Sequence, residues 1–275
     1  MTTNEHAAML FAALMEKSAN EEKATENFEE MIPWVLLPDA IRAYAGPRWM
    51  SHFENVPGTC EAAWMQFPTP EVLKDLSKER FAEEVKVEKG ENHPACVIGE
   101  LSCINVYDNF NQGHPYYREL RAHLRQDMVL DRVLREEMID ADRRFEDIYV
   151  MRNVKDCTMD GQTLRKEIAT FAQMSYVVLA NRIWKQYGVL MDNKWLKAHV
   201  YPALCRTYSQ DLADRTFRYM GITPEMEAMV RDHTNPEEAA VKLNITGDCF
   251  FNIVNAMYDE AIMATHEELD RFLNK

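Results

Sequence analysis

Apolar residues recur at helical spacing along almost the whole chain, alternating strand patterns are nearly absent, and Gly and Pro fall where helices should stop. A chain patterned this way can bury its hydrophobic residues only by packing helix on helix, so the sequence predicts an all-α fold, a multi-helix bundle. With 275 residues, 47% of them hydrophobic, a sizeable core can form. No repeat and no linker polar enough to set a boundary interrupts it, which predicts one helical domain over residues 1–275.

The periodicity predicts a first helix over about 4–18 with Asn4 as its cap, then an acidic helix over about 20–31. Pro33 and Pro38 should punctuate the chain, with a short helix starting at Pro38 and carrying Asp39. Residues 46–70 read as mostly irregular, followed by two short pieces, and GENHP as a surface loop exposing His93. A buried helix over ACVIGELSCINVYDNFNQ should end at Asn111-Gln112-Gly113 before Pro115 opens a long amphipathic helix. Further helices are expected at about 163–188, 193–220, 223–232 and 235–273, broken by Gly188, Gly221 and Pro236.

Charge and cysteine usage narrow the function. Asp plus Glu number 45 against 31 Lys plus Arg, a formal net charge of −14, which argues against a duplex nucleic acid partner. A metal with one or two arginines can still create a local positive spot for a small phosphoester or a lipid head group. The six cysteines, Cys60, Cys96, Cys103, Cys157, Cys205 and Cys249, show no CxxC spacing, and most of them read as buried free thiols of a cytoplasmic protein. HAAMLFAALM is too short to span a bilayer, so no transmembrane segment is expected.

The chemistry concentrates in HPYYRELRAHLRQDMVLDRVLRE. His123 and Asp127 are four residues apart and share a helix face, and Asp131 extends the row by a turn. An imidazole and a carboxylate at that spacing form half of a site for a borderline ion. PDAIRAYAGPRWMSHFE offers Asp39 and His52, followed by Glu54, in segments rich in aromatic residues. Polar groups packed there need partners that a shared metal would provide. A bare HxxxD pair is otherwise a common feature of solvated helices. Asp108, among Val106, Tyr107 and Phe110, also needs a partner if buried and is the best further ligand candidate. His199 reads as a satisfied core histidine, His114 as part of a helix start, and His233 and His266 as solvated.

With His6 on the first helix, the pieces PDAIRAY, SHFE and HLRQDMVLD resemble the zinc-dependent phospholipase C family, an all-α fold shared with single-strand-specific nucleases. The resemblance covers mainly residues 1–135. It implies Asp39, His52, His123 and Asp127 as ligands of one metal, with His6 a ligand of a second and Asp131 in the place of a further Asp that bacterial members carry. Within the single helical domain, the metal-site half is expected at about 1–140 and a helical extension at about 160–275. Two departures stand out: the chain begins with Met1 rather than a processed ligating residue, and the next histidine after His123 is His199. Carboxylates such as Asp108, Asp131 or Glu137 would have to substitute at a second position, favouring manganese or magnesium there.

The expected function is a metal-dependent phosphoester hydrolase, phospholipase C-like or acting on a small phosphodiester. Zinc is the first choice of metal, with manganese, magnesium or iron as others, and the metal activates water. Asp39 or Glu54 could act as base. Arg48 could hold a phosphate bidentately or simply shield Trp49. Tyr44, Trp49 and Phe53 line a pocket or belong to the core. The alternative is a non-enzymatic helical interaction protein using the same residues as a structural metal site or buried polar network. Oligomeric state stays open, since the stripe Ile253, Met257, Ile262 and Leu269 could face the core or a partner.

Overall fold

The first helix, α1 (Thr3–Lys17), is apolar all round from Ala7 to Leu14, and every residue from Thr3 to Leu14 is buried. A stretch without a polar face has no stable position except inside the molecule, with neighbours all around it. Asn4 lies within this helix and is itself buried, so it does not serve as the expected cap. Asn20 does cap the next helix, its side chain accepting the Lys23 N–H at 2.9 Å.

Helix α2 (Glu21–Arg42) overturns the expected break. It runs through both Pro33 and Pro38, so Asp39 projects from a continuous 22-residue helix rather than from a short one. An interior proline costs about 3 kcal/mol through its missing donor and ring clash. Against that, every residue from Met31 to Ile41 is buried, and each large apolar side chain removed from water contributes roughly 1.5–3 kcal/mol. The buried Tyr208 hydroxyl also donates to the Pro33 carbonyl, tying the proline turn to a neighbouring segment.

The structure, a computed structural model, describes residues 3–42, 44, 52, 67–84, 104, 107–109, 111–133, 161–233 and 247–273. Short helices α3 (Pro70–Asp75) and α4 (Lys78–Glu84) precede the long α5 (Tyr117–Val133). The turn before α5 is built by two side chains. Asn111 accepts the Phe67 N–H at 2.8 Å, and His114 accepts the Tyr116 N–H on Nδ1 at 3.2 Å while donating from Nε2 to the Pro68 carbonyl at 3.1 Å. Pro115 therefore sits in the turn, and the helix proper starts at Tyr117.

Helices α6 (Gly161–Tyr187), α7 (Asn193–Thr207), α8 (Gln210–Tyr219), α9 (Pro224–Arg231) and α10 (Gly247–Leu273) complete the order. Gly188, at φ 72°, ends α6 by donating to the Trp184 carbonyl at 2.8 Å, a conformation that suits glycine. The predicted helix over 193–220 is two helices. Ser209 is extended, accepts the Leu212 N–H, and donates its own N–H to Leu73 at the end of α3, so local capping outweighs the continuing apolar period. No strand occurs among the described residues, and none of their helices is long and apolar enough to cross a membrane.

Helix α10 packs most extensively on α5, and α1 lies against α2, α6 and α10 while α2 also meets α5, α7 and α8. The ion pairs Arg121–Glu268, Arg125–Glu267 and Arg132–Glu260 show α5 and α10 to be antiparallel, since one numbering rises as the other falls. Met257, Ile262 and Leu269 of α10 are buried in the core, which resolves the orientation of that stripe at these three positions. Met9 and Met31 are likewise core residues.

Candidate metal centre

Helices α1, α2 and α5 bring their polar residues to one buried place. α1 supplies His6, α2 supplies Asp39, α5 supplies His123 and Asp127, and His52 comes from the segment after α2. His6 and His123 are fully buried, and His52, Asp39 and Asp127 are no more than 6% exposed. The HxxxD spacing works as expected, since His123 and Asp127 occupy one face of α5 and both point into the cluster.

The donor atoms face one another. His52 Nε2 lies 3.4 Å from Asp39 Oδ1, 3.5 Å from Asp127 Oδ2 and 3.2 Å from His123 Nε2. His123 Nε2 is 3.8 Å from the same Asp127 oxygen, and His6 Nε2 is 3.4 Å from the other one, Oδ1. A tetrahedral ion with bonds of about 2.0–2.2 Å holds its donors about 3.3–3.6 Å apart, and three of these five separations fall in that range with the other two close to it. Two overlapping groups, His6–His123–Asp127 and Asp39–His52–His123, each have all their ligand atoms within 4.8 Å. These buried His and Asp side chains can hold a metal ion.

A buried ring nitrogen supports that conclusion. His6 Nε2, which faces Asp127 Oδ1, makes no hydrogen bond, although buried polar atoms nearly always do. The His6 and His123 rings are stacked with centroids 3.8 Å apart, which brings two imidazoles together in a site that excludes water. Burial holds the His123 pKa well below the usual imidazole range, and the neighbouring His6 reinforces it, so His123 stays neutral and able to ligate. Burial acts in the opposite sense on Asp39. It is outweighed by opposing interactions with the surrounding histidines, the His52 hydrogen bond first among them, and the carboxyl stays ionised. Thr3, one turn before His6, donates its hydroxyl to Asp39 Oδ2 at 2.8 Å and leaves Oδ1 facing His52.

Asp108 does not join the group. Its Oδ1 accepts the Tyr117 hydroxyl and the Arg121 Nε–H, the latter at 3.2 Å, at the half-exposed side of α5. Its predicted need for a partner is met by an arginine rather than a metal. Asp131 lies in α5 one turn beyond Asp127, and its side chain is outside the described residues, as are Glu54, Arg48, Trp49, Phe53, His93 and Glu137. Tyr44 is buried with its hydroxyl donating to the Leu76 carbonyl at 3.1 Å, a core role. His199 pairs with Glu29 at 3.0 Å and His266 with Glu16 at 2.8 Å, away from the cluster.

Sequence reasoning passed over Gln126 and Thr3. Both were accessible from spacing, because Gln126 is three residues past His123 and Thr3 three before His6, each on the face that is buried. Comparison of the chain with protein families, with curated proteins and with solved structures finds no match. The cluster has to be read from its own chemistry.

Proposed function

We propose that the protein is a metal-dependent phosphoester hydrolase whose centre is held by Asp39, His52, His123 and Asp127, with His6 on the far oxygen of Asp127. The observation that carries this reading is the convergence of three imidazole nitrogens and two carboxylates at ligand-like separations, 3.2–3.8 Å, around His52 and Asp127. Nitrogen and carboxylate donors together suit zinc best, with manganese or iron next. A divalent ion there would supply Lewis acidity, acidifying water and neutralising phosphoryl charge.

The chain's own residues divide the work. Asp39, held ionised, suits ligation and is a weak proton acceptor, so proton removal falls to Glu54. Arg48 is assigned to the phosphate. The resemblance to zinc-dependent phospholipase C points the same way and favours a small phosphodiester or lipid head group as substrate. Purified protein incubated with zinc should hydrolyse bis(p-nitrophenyl) phosphate or p-nitrophenylphosphorylcholine, and His123→Ala should lose that activity. Zinc-loaded protein inert toward a panel of phosphomonoesters, diesters and phospholipids would sink the hydrolase reading.

Burial favours a second reading. All five side chains are at least nine-tenths buried, which suits a closed structural metal site in a non-enzymatic helical protein. Under it, the same zinc titration stabilises the fold and no phosphoester is turned over.

A further inference from the structure

One hydrogen-bond chain leaves the cluster and ends on the last helix. His6 Nδ1 lies 2.6 Å from Gln126 Oε1, the Gln126 amide nitrogen donates to Thr265 Oγ1 at 2.8 Å, and the Thr265 hydroxyl donates to the Ala261 carbonyl at 2.7 Å. His6, Gln126 and Thr265 are all completely buried, so no water competes for these bonds.

The direction of the chain follows from proton counting. Thr265 has one hydroxyl proton and spends it on Ala261, which leaves its oxygen able only to accept. Gln126 must therefore turn its NH₂ toward Thr265 and its carbonyl oxygen toward His6. A carbonyl oxygen cannot donate, so the proton of a neutral His6 sits on Nδ1. Nε2 is then a bare lone pair, buried without a hydrogen bond and 3.4 Å from Asp127 Oδ1. A cation placed between them would satisfy the Nε2 lone pair and pair with the carboxylate.

We infer that Gln126 is a positioning residue for the metal centre: anchored by Thr265 of α10, it fixes His6 in the Nδ1–H tautomer and aims the Nε2 lone pair at the ion. The inference rests on the metal-centre reading and deepens it. Ligating histidines commonly donate their second ring N–H to an outer partner, whose loss weakens metal binding by about 10–100-fold. The route also couples the metal to the C-terminal helix, because the acceptor that orients Gln126 is 139 residues away in sequence.

The test uses metal-free full-length protein labelled with ¹⁵N-histidine, read by long-range proton–nitrogen NMR, with zinc affinity measured by competition against a chromophoric chelator. Native protein should show His6 protonated on Nδ1. Gln126→Leu should lose that preference and bind zinc about 10–100-fold more weakly, while Gln126→Glu, which still accepts from Nδ1, should keep both. Thr265→Val removes only the anchor and should shift the tautomer in the same direction as Gln126→Leu, a readout that survives if the leucine variant fails to fold. Native His6 protonated on Nε2, or native zinc affinity in Gln126→Leu, overturns the inference and leaves the metal centre standing. Native protein that takes up no zinc overturns the metal-centre reading and this inference together.

Discussion

Glu5 and His6 are neighbours on α1, both are buried, and they lead to polar clusters of opposite character. Glu5 enters a closed one: Ser175 of α6 donates its hydroxyl to Glu5 Oε1, and Tyr258 of α10 lies 3.1 Å from that oxygen while donating to the Ser175 carbonyl at 2.6 Å. His6 enters an open one, where its Nε2 has no hydrogen bond and faces Asp127 Oδ1. The first cluster is complete with protein donors, and its role is to hold three helices together. The second leaves His6 Nε2 without a hydrogen bond opposite Asp127 Oδ1, a place that a metal ion would suit. Burial of a polar group is thus no sign of function in itself; the balance of donors and acceptors is what separates the two.

The largest effect that would break this contrast is on metal response. At zinc concentrations about 100-fold above Kd, native protein should gain about 2.7 kcal/mol, raising Tm by roughly 5–10 °C in a thermal-shift measurement. His123→Ala should lose that gain, whereas Glu5→Gln should keep it even if its starting Tm is lower. Next in size, Tyr258→Phe should cost about 1–3 kcal/mol in chemical denaturation, because it strips a donor from a buried carbonyl beside Glu5, and it should leave zinc binding unchanged.

Acid should sharpen the comparison further. Burial depresses the folded-state pKa of His123 below its unfolded value of 6.5, and that of His114 moves the same way. Between the folded and unfolded values the unfolded chain binds more protons, so stability rises with pH there and is lost as pH falls below about 6.5. Asp39, whose folded pKa is depressed, contributes stability above about 3.8 that disappears only in stronger acid. Chelator-treated protein should therefore lose at most about 1.4 kcal/mol per pH unit from His123 between pH 6.5 and 5, and His123→Ala should flatten that slope. The smallest effect belongs to the rim of the α5–α10 contact. Arg125→Ala removes a partly solvated pair with Glu267 and should change stability by less than about 1 kcal/mol, without touching the metal response.

The parts legible in sequence were those governed by short spacing. The all-α class follows from apolar period, and His123 with Asp127 from a four-residue interval that any helix converts into a shared face. Asp39 and His52 were recognisable because polar side chains in aromatic-rich segments need partners. Pro33 and Pro38 misled, since the local cost of a helical proline is visible in sequence while the burial that offsets it, from Met31 to Ile41, depends on the assembled bundle. Asp108 illustrates a correct need with an unpredicted partner, Arg121, thirteen residues on. Thr265 was invisible, because its link to Gln126 depends on how α10 returns along α5.

Metal content decides the central claim most directly. Protein purified without chelator and without a histidine tag should carry near-stoichiometric zinc, manganese or iron by elemental analysis, and Asp127→Asn, prepared alongside, should carry far less. Native protein that is metal-free, and remains so with an unchanged Tm after incubation with those ions, would contradict the account and leave His6 Nε2 a buried nitrogen without a hydrogen bond.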